Sequence, residues 1–107
     1  GELVATGRVG DTVTQEEAYG LSRRCALAAL AAADAVAGEA LTRVVKVVGY
    51  VASADGFTGL PGVVDGASDL FVEVFGEAGR HARSAVGVAD LPLGSPVEIE
   101  VVFKIGG

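Results

Sequence analysis

Several residue types that often carry chemistry are nearly missing from this 107-residue chain. It has one cysteine, Cys25, one histidine, His81, and no methionine or tryptophan. A single cysteine cannot form an intrachain disulfide, so we expect a reducing cytoplasm. These two residues cannot build a zinc site without carboxylates, and the chain has neither a phosphate-binding loop nor a Cys-x-x-Cys pair. The sequence therefore predicts no metal and no cofactor.

Basic residues and long apolar runs are also scarce. Eight Lys and Arg oppose 14 Asp and Glu, and the formal net charge is −6. Nonspecific nucleic-acid binding depends on clustered Lys and Arg, so this balance disfavours a nucleic-acid partner. The most apolar run, residues 25–38, is mostly alanine and contains Asp34. It is well short of the roughly 20 residues that a membrane span needs, so we expect no membrane partner.

Apolar residues make up 50% of the chain, which is ample for one compact domain. Thr14 and Glu17 fit a capping box, which predicts a helix from residue 15, and Gly38 is placed to end it. Its apolar stripe should contain Ala18, Leu21, Cys25, Ala28, Ala32 and Val36. On that stripe we interpret Cys25 as a small core residue rather than a nucleophile.

The remaining elements alternate between strands and one further helix. Residues 2–6 read as an opening edge strand. Residues 41–52 are rich in valine on both parities, which predicts a strand covered by helices on one face and by a partner subunit on the other. A second helix should run from Pro61 to about Phe75 with Val64, Ala67, Phe71 and Val74 inward, followed by strands over residues 83–89 and 97–105. The order β-α-β-α-β-β predicts an α+β domain, with two helices on one face of a mixed sheet.

Polar residues in the last third have ordinary structural interpretations when each is taken alone. His81 precedes a strand and is typical of a surface or interface histidine. Glu98 and Glu100 share the outer parity of the last strand, where they would form its solvated side. Arg83 alone would be a surface arginine.

Taken together, these residues form a longer pattern. Residues 81–92 read HARSAVGVADLP and residues 96–100 read PVEIE. With the alanine-rich capped helix, the Val-Val-Lys-Val strand and the GASDL run at residues 66–70, they resemble the RidA/YjgF family, also called the endoribonuclease L-PSP family. Residues 57–79 are longer than in the best-understood deaminases and resemble a subgroup with less settled function.

The resemblance implies a chorismate-mutase-like fold that forms a homotrimer, with sites in the clefts between subunits. Family members carry a further segment before the position of Gly1. We therefore expect residues 1–107 to be a single RidA/YjgF-like domain that lacks the family's first strands.

The resemblance also implies a chemistry. In deaminase members the arginine at the position of Arg83 binds the carboxylate of a 2-aminoacrylate-type enamine or imine. The glutamate at the position of Glu98 positions or activates the water that releases a 2-keto acid and ammonia, without a cofactor. This chain departs from the family at Ala85, where a cysteine is frequent.

Three functions stay open at this point. The first is hydrolytic deamination of reactive enamines and imines, with Arg83 as the substrate-binding residue and Glu98 as the catalytic one. The second is a non-catalytic trimeric protein that binds a small carboxylate, which the change at Ala85 favours. The third is an endoribonuclease, which the net charge of −6 makes the least favoured.

Overall fold

In the computed structural model, which describes residues 5–106, two helices cover one face of a three-stranded sheet. Most of the opening strand expected over residues 2–6 lies outside the described residues, and Ala5 and Thr6 are not in a strand. The elements are α1 (Gln15–Ala37), β1 (Leu41–Ala52), α2 (Leu60–Phe75), β2 (Ala82–Val88) and β3 (Val97–Ile105). Short 3₁₀ turns follow both helices, at Gly38–Ala40 and Gly76–Gly79.

The start and the end of α1 follow from its capping residues. The Thr14 hydroxyl accepts a hydrogen bond from the Glu17 amide at 3.0 Å, and the Glu17 carboxylate accepts one from the Thr14 amide at 3.2 Å. This reciprocal pair satisfies two amides that no helical carbonyl can reach. At the other end Gly38 has φ +53°, a backbone conformation that glycine adopts without steric cost. Both predicted boundaries are confirmed.

The sheet is mixed, with β1 in the centre. β2 pairs with it in parallel and β3 pairs with it antiparallel, in the order β2-β1-β3. A crossover through α2 connects the two parallel strands, as a parallel pair requires. The α+β fold class with two helices on a mixed sheet is therefore confirmed.

The core lies between the sheet and the two helices. Val44, Val47 and Val51 of β1 are fully buried on that side, as is Phe71 of α2. A methyl group added at Gly49 would lie 2.3 Å from the Val64 side chain. The absence of a side chain at Gly49 thus lets α2 approach β1 closely.

The structure corrects the predicted inward faces of both helices. On α1 the buried residues are Ala18, Ser22 and Ala26, whereas the predicted Ala28, Ala32 and Val36 are exposed. On α2 the prediction holds for Val64, Ala67 and Phe71, but Val74 is exposed. Alanine occurs on all sides of α1, so hydrophobic periodicity alone could not select the packed face.

The opposite face of the sheet carries apolar side chains that no element among residues 5–106 covers as a layer. Val86 and Val102 are 39% and 48% exposed there. The partner subunit expected on this face stays a prediction. No helix within the described range is long and apolar enough to cross a membrane.

Candidate functional site

Arg83 is held against α2 on the helix-covered face of the sheet. It lies opposite the buried Val47 in the pairing of β2 with β1, which directs its side chain towards the helices. Its Nη1 donates to Asp65 Oδ1 at 2.6 Å and to Ser68 Oγ at 3.3 Å. The Arg83 side chain is 26% exposed, so the guanidinium is anchored by the fold yet still open to solvent.

His81 continues this network from Ser68 to the backbone. Its Nε2 lies 2.9 Å from Ser68 Oγ, and its Nδ1 lies 2.6 Å from the Gly79 carbonyl oxygen. Because a carbonyl oxygen can only accept, Nδ1 carries a proton and donates it to Gly79. In the neutral ring, Nε2 then accepts from the Ser68 hydroxyl. The Phe71 ring meets the His81 ring edge-on, with centroids 6.0 Å apart.

The structure places His81 in this network with intermediate burial, and its interpretation as a surface or interface histidine stays a prediction. Two close contacts between backbone segments bring the residues of this network together. A methyl group at Gly66 would lie 2.1 Å from the Tyr19 carbonyl oxygen of α1, and one at Gly79 would lie 2.1 Å from the Phe71 carbonyl oxygen of α2. Glycine at both places lets α2 and the following 3₁₀ turn pack tightly on their neighbours.

Glu98 lies elsewhere in the same subunit. It pairs with Tyr50 of β1, on the parity opposite to Val47, so its side chain faces away from the helices. β3 and β2 also flank β1 on opposite sides. One subunit therefore does not bring Glu98 next to Arg83, and a site with both residues requires two copies of the chain.

Cys25 is half-buried on α1, beside the buried core rather than within it, so its predicted place in the core is only partly met. Burial is the main cause that raises the pKa of its thiol, and the negative charge of Glu98 raises it further. A raised pKa keeps the thiol protonated at neutral pH, and the thiolate is the reactive form. This environment suits a structural cysteine rather than a nucleophile.

Polar contacts on the solvent-exposed side of α1 and α2 join the two helices. The Tyr19 hydroxyl donates to Asp69 Oδ2 at 2.7 Å, and Arg23 forms an ion pair with Glu73. The bond to Asp69 is the main cause that raises the pKa of Tyr19. Within residues 5–106, no group of three or more His, Cys, Asp or Glu side chains is placed to hold a metal ion.

Sequence reasoning missed the residues that support Arg83. Asp65 and Ser68 are three positions apart, so they lie on the same side of α2. That spacing was readable from the sequence, but nothing in it indicated which strand residue they would contact. The pairing of β2 with β1 decides that Arg83 lies beneath them.

Comparison with known proteins places this arrangement in a family. Residues 1–104 match the family model described as "YjgF/chorismate_mutase-like, putative endoribonuclease". The chain belongs to this family, and the predicted resemblance is confirmed.

Its relatives include a curated protein and two solved structures. The chain is 43% identical over 103 residues to Protein TCP17 of Trypanosoma cruzi; the match covers 94% of this chain and 64% of TCP17. The crystal structure of Atu1372, a protein with unknown function from Agrobacterium tumefaciens, matches with a TM-score of 0.95 and 39% identity, over all of this chain and 70% of that one. A protein of Shewanella oneidensis MR-1 described as a "putative endoribonuclease" matches with a TM-score of 0.93 and 31% identity, over 98% and 71% of the two chains.

Proposed function

We propose that this protein is a cofactor-free hydrolase that acts in the cytoplasm on reactive enamines and imines of the 2-aminoacrylate type, releasing 2-keto acids and ammonia. The observation that carries the proposal is which nitrogens of the Arg83 guanidinium already have hydrogen-bond partners. Asp65 and Ser68 both contact Nη1, whereas Nε and Nη2 have no hydrogen-bond partner among residues 5–106. A guanidinium can hold a carboxylate through two parallel bonds from such a pair of nitrogens.

The hydrolysis itself needs only water and proton transfer. After the enamine tautomerises, water adds to the imine carbon, a C–O bond forms and the C=N π electrons move to nitrogen. The nitrogen takes up the proton that the attacking water loses and then the proton of the new hydroxyl group, so the C–N bond of this tetrahedral adduct breaks with release of ammonia and the carbon becomes the carbonyl of the 2-keto acid. In this proposal Glu98 accepts the proton of the attacking water.

Because Glu98 and Arg83 lie on opposite faces of one sheet, the proposed site combines Arg83 of one copy with Glu98 of another. The homotrimer implied by the family resemblance would provide such a cleft. Arg83 lies on the edge strand β2, where a second copy can reach it, and the exposed Val86 and Val102 on the uncovered face support association of copies. Sedimentation equilibrium at micromolar concentration tests this part, and a well-folded monomer would overturn it.

Binding of pyruvate, the product-like 2-keto acid, tests the role of Arg83. Isothermal titration calorimetry should detect binding to the wild type and none to Arg83→Ala, and Arg83→Lys should recover little because a point charge does not form the two-bond fork. Arg23→Ala is the matched control, since Arg23 also pairs with a carboxylate of α2. Equal titrations for the wild type and Arg83→Ala would show that Arg83 does not bind the carboxylate and has only a structural role.

Turnover is tested with an enzyme that generates 2-aminoacrylate, following keto-acid release against a protein-free reaction. Glu98→Gln keeps the shape of the side chain and removes the base. We expect pyruvate binding to survive while turnover falls by roughly 10²- to 10⁴-fold. Turnover of Glu98→Gln at the wild-type rate would remove Glu98 from the mechanism.

A second candidate is a trimeric protein that binds a small carboxylate without chemistry. Ala85, which stands where the deaminases often have a cysteine, favours it. Pyruvate binding that depends on Arg83, together with keto-acid release no faster than without protein, would decide for this candidate. An endoribonuclease is the weakest alternative, because the net charge of −6 opposes an RNA ligand.

A further inference from the structure

The hydrogen bonds around Arg83 have a defined direction. Gly79 offers a carbonyl, so His81 Nδ1 donates to it, Nε2 of the neutral ring accepts from the Ser68 hydroxyl, and Ser68 Oγ is left to accept from Arg83 Nη1. Asp65 Oδ1 accepts the other hydrogen of the same nitrogen. Both protons of Nη1 are thereby used.

This pattern leaves a particular edge of the guanidinium for a ligand. With Nη1 occupied, the Nε–H and the neighbouring Nη2–H form the pair that points to a carboxylate side-on. A carboxylate held end-on would need Nη1 and would compete with Asp65 and Ser68. The network therefore selects one of the two binding geometries that a free arginine offers.

We infer that Ser68 and His81 are positioning residues for Arg83: His81 orients the Ser68 hydroxyl, and Ser68 together with Asp65 fixes the guanidinium so that its Nε–Nη2 edge receives the substrate carboxylate. The inference rests on the proposed function of Arg83. It assigns to these two residues a role in affinity rather than a contact with substrate.

The contacts of His81 indicate that the hydrogen-bond network around Arg83 does more than hold α2 against β2. An ion pair as exposed as Arg83–Asp65, with side chains 26% and 50% exposed, adds little to stability. The His81 ring is fixed from two other directions, by the Phe71 ring and by the Gly79 carbonyl. A ring held in this way presents Nε2 to Ser68 in one orientation, as is typical of residues that support a functional side chain.

Four variants separate positioning from simple packing. Ser68→Ala removes the hydroxyl, and His81→Asn can still donate to the Gly79 carbonyl but is too short to reach Ser68. His81→Gln instead keeps an acceptor near the place of Nε2. Ser84→Ala is the matched control, because Ser84 adjoins Arg83 on β2 but faces the other side of the sheet.

Pyruvate affinity is measured for each by calorimetry, after thermal unfolding has shown that the variant is folded. We expect affinity to fall about tenfold in Ser68→Ala and His81→Asn, the loss of about one hydrogen bond to a charged group. His81→Gln should rescue most of it, and Ser84→Ala should match the wild type. Wild-type affinity in folded Ser68→Ala, or equal loss in His81→Gln and His81→Asn, would overturn the inference.

Nitrogen NMR of the imidazole gives a second readout, because His81 is the chain's single histidine. The spectrum of the neutral imidazole in the wild type should show the proton on Nδ1, and Ser68→Ala should shift the Nε2 signal. A proton found on Nε2 would contradict the network. If Arg83→Ala binds pyruvate as the wild type does, the proposed function fails; if only Arg83→Ala loses binding, this inference alone fails.

Discussion

The two helices lie side by side on the same face of the sheet, yet they bury different numbers of residues. α1 has 23 residues and buries three of them, Ala18, Ser22 and Ala26. α2 has 16 residues and buries six: Val63, Val64, Gly66, Ala67, Leu70 and Phe71. α1 packs on α2, β3 and β1, whereas α2 packs on α1, β1 and β2.

This difference bears on where a precise site can form. α1 combines a capping box with many alanines, the residue with the best helix propensity, so much of its stability is local. α2 is held by tertiary packing, with Phe71 edge-on to Phe103 of β3 and to His81. Asp65 and Ser68, which support Arg83, belong to α2, the more tightly packed helix, where their positions are best defined.

Truncation of the α2 core should have the largest effect. Phe71→Ala removes a fully buried ring that contacts two other rings, and we expect it to lower the free energy of unfolding by about 3–5 kcal/mol. Val36→Ala on α1, at a residue that is 87% exposed, should change the free energy of unfolding by less than about 0.5 kcal/mol. Urea denaturation measures both. A loss for Phe71→Ala as small as that for Val36→Ala would contradict the unequal packing of the two helices.

Glycine-to-alanine exchange should act with opposite signs on the two helices. A methyl group at Gly66 would lie 2.1 Å from the Tyr19 carbonyl oxygen, so Gly66→Ala forces the helices apart and should cost about 1–3 kcal/mol. Gly20 of α1 has no atom within 4 Å of an added methyl group. Gly20→Ala should stabilise by about 0.5–1 kcal/mol through helix propensity. Thermal unfolding gives the sign, and a stabilised Gly66→Ala would show that the helices do not meet closely there.

The cap of α1 should contribute a smaller amount. Thr14→Ala removes the acceptor for the Glu17 amide, and the free energy of unfolding should fall by about 1 kcal/mol. Thr14→Ser keeps the hydroxyl and serves as the control. If both variants unfold at the wild-type urea concentration, the local support attributed to α1 is absent.

The smallest effect concerns the pH response of Cys25. Because burial raises the pKa of its thiol in the folded state, the stability that this group contributes is present below the ordinary thiol range and is lost as pH rises through the raised pKa. Alkylation by iodoacetamide at pH 8 should therefore be slower in the native protein than in urea, as followed by mass spectrometry. Faster alkylation of the native protein would place Cys25 in an activating environment.

Much of the fold could be predicted because its signals are local. The Thr14–Glu17 capping box and Gly38 set the bounds of α1, and the valine-rich run of β1 and the alternation in β3 identify those strands. Each depends on neighbours a few residues apart, within reach of sequence reasoning. The resemblance carried by residues 81–92 and 96–100 likewise led to the family that the comparisons confirm.

The candidate site was only partly accessible in this way. The motif identified Arg83 and Glu98 as candidates, and their joint role stays a prediction. Their placement on opposite faces depends on the register with β1, where Arg83 lies opposite Val47 and Glu98 opposite Tyr50. A shift of one residue would reverse either side chain, so residue type alone could not decide this.

The sequence by itself determined which segments become helices and strands, since caps, glycines and β-branched runs act over short range. Only the tertiary structure decided which face of the alanine-rich α1 is buried, because alanine is equally acceptable on every side. It also decided that His81 and Ser68 meet and that Ser68 contacts Arg83. These contacts join residues of different elements, and their geometry follows from how closely the glycines let α2 pack against its neighbours.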